Sequence, residues 1–98
     1  MIRRIVKMHF RLDEVERFKL LFHSRAKSIK SMPGCSYLEL WQDISNPEIF
    51  FTYSNWDQVE DLENYRKSTL FTEVWTKTKL LFKEKPEAWS VNQLEKHE

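Results

Sequence analysis

The chain has one glycine, one cysteine and three prolines in 98 residues, and each scarcity excludes something. A single glycine leaves few tight turns with positive φ and no glycine-rich phosphate loop. A single cysteine excludes an internal disulfide and fits a reducing compartment. No run of 18 apolar residues exists, so no membrane helix is expected, and Met1-Ile2-Arg3-Arg4 leads into alternation rather than a signal-peptide core. No sign of charge dominates: 16 basic and 15 acidic side chains leave a formal +1, which gives no general field for a polyanion and argues against nucleic acid as a partner. His9, His23 and His97 are scattered and match no metal-ligand spacing, so no metal is expected. The length itself excludes a two-domain enzyme with a cleft between lobes. A soluble, cytoplasmic single domain over residues 1–98 is the expectation.

Aromatic residues are abundant: seven Phe, four Trp and three Tyr, a large apolar area for one small core to bury. From Ile2 to Leu12 the chain alternates, with Val6, Met8, Phe10 and Leu12 on one face and Ile5, Lys7, His9 and Arg11 on the other. Asp13-Glu14-Val15-Glu16 has a capping-box pattern, and Val15, Phe18, Leu21, Phe22, Ala26 and Ile29 form a helical stripe ending before Pro33-Gly34. Cys35 to Gln42 reads as a strand with Cys35, Tyr37, Glu39 and Trp41 opposite Ser36, Leu38 and Leu40. Turn residues follow in Asp43 to Pro47, and Ile49 to Ser54 is a third strand. Asp57-Gln58-Val59-Glu60 repeats the capping pattern before a short helix through Leu62 and Tyr65. Ser68 caps another helix, whose stripe runs from Leu70 to Phe82. Pro86 precedes a last strand, Ala88 to Leu94.

The order β-α-β-β-α-β is the ferredoxin-like arrangement: α+β, a four-stranded antiparallel sheet with its helices on one face. Two helices cover one face only, yet Phe50 and Phe51, Tyr37 and Leu38, Leu40 and Trp41, and Ile5 and Val6 put apolar side chains on both. A solvated face would be polar. A homodimer packed through the sheets is therefore expected, with a monomer exposing aromatics as the alternative.

Met32-Pro33-Gly34-Cys35 followed by Tyr37-Leu38-Glu39-Leu40 resembles the "PGC…YEL" start of strand two in antibiotic biosynthesis monooxygenase domains. Phe50 to Trp56 resembles the family's third strand, which ends at a tryptophan. Asp57 to Leu62 is similar to its "W-x-S-x-E-A-L" helix start, Ser68-Thr69-Leu70-Phe71 to its "S-x-x-F" step, and Lys85 to Val91 to the ending of a subgroup of small members. The resemblance implies a dimeric α+β barrel with a pocket between sheet and helices of one subunit. Its members include cofactor-independent monooxygenases of quinol-like or polycyclic aromatics, haem-degrading enzymes and isomerases. Where haem-degrading members carry Asn, Trp and His, this chain resembles them in place but holds Lys7, Tyr65 and Trp75. Tryptophan cannot coordinate iron, so no haem or other cofactor is expected.

The resemblance implies oxidation of a small aromatic, quinol- or polyphenol-like, with O2. His9 or Lys7 would assist deprotonation, Tyr65 and Tyr53 would orient the substrate, and Trp75 would line the pocket. The other reading of His9, a partner-satisfied or exposed strand histidine, is the favoured one. Cys35 has no neighbouring base in sequence and reads as a small buried hydrophobe. The alternative function is a non-catalytic, ligand-binding dimer of the same fold.

Overall fold

The computed structural model describes residues 1–98. Strands β1 (Ile2–Phe10), β2 (Cys35–Gln42), β3 (Ile49–Trp56) and β4 (Phe82–Val91) form one sheet in the order β2-β3-β1-β4, every pair antiparallel. Helices α1 (Val15–Lys30), α2 (Val59–Arg66) and α3 (Thr69–Lys79) complete the chain. The alternation in sequence becomes two sheet faces through the register. Val6 lies opposite Thr52 and Ala88, and Thr52 opposite Leu40; Ile5 lies opposite Tyr53 and Trp89, and Tyr53 opposite Glu39. The first set faces the helices and the second faces away.

Local chemistry explains most boundaries. Ser68 Oγ accepts from the Phe71 N–H at 3.1 Å and starts α3 as expected. In the β2–β3 turn, Asp43 Oδ2 accepts the N–H groups of Ser45 and Asn46 at 3.0 and 2.8 Å, a side-chain substitute for a backbone turn. Neither capping box forms where the sequence suggests it. Asp13 lies in a 3-10 turn over Leu12–Glu14, and no side chain caps α1 at Glu14. At α2 the cap moves one residue on, with the Gln58 N–H donating to Asp61 Oδ2 at 3.2 Å.

Three other expectations need correction. α3 ends at Lys79, so Phe82 opens β4 instead of closing the helical stripe. β4 starts before Pro86 because it is an edge strand, where a missing N–H costs little. The register slips there: Lys7 pairs with Glu87 but His9 with Glu84, so the proline sits in the irregularity. In β2 the register slips between Cys35 and Tyr37. This turns Cys35 off the Tyr37 face and into a buried cluster with Trp56 and Leu62.

The core has two parts. Met8, Phe10, Val15, Phe18, Phe50 and Leu81 form the larger cluster, and Cys35, Trp56 and Leu62 the smaller. Phe10 is fully buried and stacks on Phe18 at 4.0 Å. Trp56, also buried, donates Nε1–H to Ser54 Oγ at 3.0 Å, so its one polar group is satisfied.

Candidate functional site

Between the two clusters the helix-covered face of the sheet leaves a cavity of about 260 Å³. Its floor is sheet: Val6, Leu38, Thr52, Ser54 and Trp56 all point toward the helices. Its roof comes from α1, α2 and α3 through Ile29, Leu62, Tyr65, Phe71 and Trp75. The aromatic rings form a continuous wall. Tyr65 stacks on Trp56 at 5.0 Å, meets Phe71 edge-on at 5.2 Å, and Phe71 stacks on Trp75 at 5.9 Å. Trp75 then contacts Phe82 at 5.6 Å, which ties the wall to the larger cluster. The volume lies just below the range of about 300–1,000 Å³ common for drug-sized ligands, so the space suits a small ring system.

The structure brings Tyr65 and Trp75 together in this cavity and sets Lys7, His9 and Tyr53 apart from it. Those three lie in phase with Ile5, on the opposite face of the sheet. His9 Nε2 is 2.8 Å from Glu48 Oε1, and Lys83 reaches the same oxygen at 3.5 Å. His9 thus has a carboxylate partner on the face away from the helices. Tyr53 stacks on Trp41 at 5.0 Å and accepts a hydrogen bond from Arg3. Lys7 lies opposite Phe51 and Glu87. With the sheet backbone between, none of the three reaches the cavity of its own chain. His23 is exposed on α1.

Three charged cavity residues escaped the sequence reading: Arg4, Arg66 and Glu87. Arg4 shares the phase of Val6, Met8 and Phe10, so a charged residue in line with a buried stripe was the available signal. Its Nη1 donates to Ser90 Oγ at 3.1 Å. Arg66 ends α2 and is exposed, a position that nothing in the sequence marks. Burial, then the like charge of Arg66, holds the Arg4 pKa below its ordinary value.

Burial, followed by the nearby Cys35, pushes the Tyr65 phenol up to about 12. At neutral pH it is a protonated hydrogen-bond donor, not a base. Burial likewise raises the Cys35 thiol, whose Sγ–H points to the Tyr37 carbonyl at 3.7 Å, consistent with a packing role. The Tyr65 shift has a consequence for stability. Its folded pKa exceeds the unfolded value of 10.0, so its contribution is complete below pH 10 and is lost as pH rises to about 12. Phenolate absorption should therefore show one tyrosine ionising near pH 12. That step should vanish in Tyr65→Phe; its persistence there would assign the shift to another residue.

Comparison with known proteins adds lineage to this geometry. The sequence profile of the family described as antibiotic biosynthesis monooxygenase matches residues 1–76. A conserved protein from Methanosarcina mazei Go1 superimposes with a TM-score of 0.89 at 22% identity, covering 94% of this chain and 91% of that one. A structure described as an antibiotic biosynthesis monooxygenase gives 0.90 at 14% identity, covering 97% and 100%. A Pseudomonas aeruginosa protein gives 0.85 at 15% identity, covering 96% and 94%. Likeness at these identities establishes a shared fold. No curated protein matches the chain.

Proposed function

This chain belongs to the antibiotic biosynthesis monooxygenase family, and from that membership we propose that it is a cofactor-independent monooxygenase of a small, electron-rich phenol or quinol. The observation that carries the reading is the aromatic-walled cavity with the Tyr65 phenol, protonated at working pH, among its lining groups. O2 is the oxidant. The ionised phenol, carbanion-like at its ortho and para carbons, gives up electrons to O2 and forms a C–O bond as a hydroperoxide at whichever of these carries a hydrogen. Loss of water, taking the ring hydrogen, leaves a quinone, so one phenol and one O2 yield one quinone and one water.

This chain's residues supply three things. The apolar wall excludes water from the charged intermediates. The Tyr65 hydroxyl donates to the substrate oxygen as negative charge develops on it. The positive field of Arg4 and Arg66 favours the ionised phenol, each pKa unit corresponding to about 1.4 kcal/mol, and the proton leaves to solvent. Histidine is not among the lining residues, so the base expected at His9 is replaced here by stabilisation of the anion.

The test is oxygen uptake with a panel of hydroquinones and naphthols. Turnover is expected, and Tyr65→Phe should lower kcat by about 10²-fold, the usual effect of losing one oxyanion donor, with KM little changed. Absence of uptake with every phenol overturns the catalytic reading and leaves the non-catalytic ligand-binding dimer, which the lack of a cavity histidine favours.

The working unit is proposed to be a homodimer closed through the outer sheet face, in the cytoplasm, where a lone thiol stays reduced. No helix is long and apolar enough to cross a membrane. On the outer face Tyr37, Trp41, Trp89 and Val91 are each 40–43% exposed, an apolar area of the kind that marks interfaces. Light scattering should give a mass about twice the 12.0 kDa of one chain. Trp41→Lys, placing a charge beside Tyr53, should return the mass to one chain with an unchanged circular dichroism spectrum. A wild-type monomer would remove the dimer from this proposal.

A further inference from the structure

The two arginines of the cavity say more about its occupant than the aromatic wall does. Neither Arg4 nor Arg66 forms an ion pair: every salt bridge of the chain is made by other residues. Sixteen basic and fifteen acidic side chains are available, and Arg25, for comparison, is half-buried and ion-paired with Glu73. Arg4 is half-buried on the sheet floor, and a guanidinium carries five donors. Ser90 Oγ takes one. Glu87, the one carboxylate of the lining, pairs with neither arginine, so two like charges at one cavity repel each other, and burial adds to the penalty. An arginine in phase with Val6 and Met8 could have been an apolar residue at no loss to the core. Its charge is instead directed at the space between sheet and helices.

We infer that the ligand of this cavity is an aryl carboxylate, its ring against Tyr65, Phe71 and Trp75 and its carboxylate held by Arg4 and Arg66. The planar fork of a guanidinium matches a carboxylate with two parallel N–H···O bonds, and Arg66 at the exposed end supplies the second positive charge. Under the oxidative reading this makes the substrate a hydroxylated aryl acid rather than a neutral quinol. The inference rests on that reading only for the cavity being the ligand site.

Binding without turnover separates the two. A dihydroxybenzoate and the matching dihydroxybenzamide are titrated against the wild-type protein in anaerobic buffer, with Trp56 and Trp75 in the cavity wall as fluorescent reporters. The acid should bind about 10–100-fold more tightly than the amide, as charge-assisted hydrogen bonds allow, and added salt should weaken the acid alone. Arg66→Gln, at an exposed position, should bring the two affinities within a few-fold by weakening only the acid. Arg4→Lys, which keeps the charge and loses the fork, should lie between. Equal affinities in the wild type, a preference that survives Arg66→Gln, or binding of neither compound overturns the inference. An anaerobic preference for the acid with no oxygen uptake in air sinks the monooxygenase reading and leaves this one standing. Turnover of neutral quinols with no preference for the acid does the reverse.

Discussion

Phe10→Ala is expected to cost the fold about 3–5 kcal/mol, the usual penalty for a large aromatic truncated in a core. The position is at the upper end of that range for a structural reason. Phe10 is fully buried and touches three other rings: Phe18 at 4.0 Å, Phe82 at 5.2 Å and Phe50 at 5.8 Å. These come from α1, β4 and β3, so the void left by truncation cannot be closed by moving one element. Small domains have about 5–15 kcal/mol in total, and a loss of this size leaves a large part of the chain unfolded near physiological temperature. Urea denaturation followed by tryptophan fluorescence measures it. Phe51→Ala on the opposite sheet face serves as the contrast, since Phe51 is only half-buried in the single chain. A Phe10→Ala loss no larger than that of Phe51→Ala would mean the ring cluster does not organise the core.

Gly34→Ala is expected to lose about 2–3 kcal/mol at the one glycine in the sequence. Gly34 has φ +83, the left-handed region that costs an alanine about 1–2 kcal/mol. A Cβ added there would also overlap the Asp61 side chain, and Asp61 is the group that accepts the Gln58 N–H at the start of α2. Displacing it costs about 1 kcal/mol more, the usual worth of a helix cap. The Gly34 carbonyl meanwhile accepts from the Asp57 N–H at 2.8 Å, so this turn joins the entrance of β2 to the entrance of α2. The effect should reach the cavity, because α2 carries Tyr65 and Arg66. Thermal unfolding compared with Asp61→Ala separates the two contributions. If Gly34→Ala loses no more than Asp61→Ala, the backbone-strain part of the argument is wrong.

Sequence and structure divide the work in a definite way. The period-two runs and the helical stripes were enough to read the β-α-β-β-α-β order, because side-chain alternation is a local property of an extended chain. The same alternation separated Val6 and Met8 from Lys7 and His9, and so contained the sidedness of the site. Grouping Lys7, His9 and Tyr53 with Tyr65 and Trp75 crossed that boundary. The match to family positions gave their order along the chain, but a pocket depends on which side of the pleat each one takes.

Local chemistry was legible at Ser68, Asp43 and the lone glycine, where one side chain or one dihedral decides the outcome. It failed at Asp13 and Asp57, where the cap shifted because helix starts respond to the packing of the whole element. It failed also at Cys35 and Pro86, where a register slip in one strand answers to its neighbour, a residue far away in sequence. Composition and alternation thus determined on their own that this chain is an aromatic-rich α+β domain with two apolar sheet faces. Only the tertiary structure decided that Arg4 and Arg66 share a cavity with Tyr65 and Trp75. That convergence joins β1 to the end of α2 across some sixty residues of chain, and no local pattern of charge or periodicity encodes which two cations will meet.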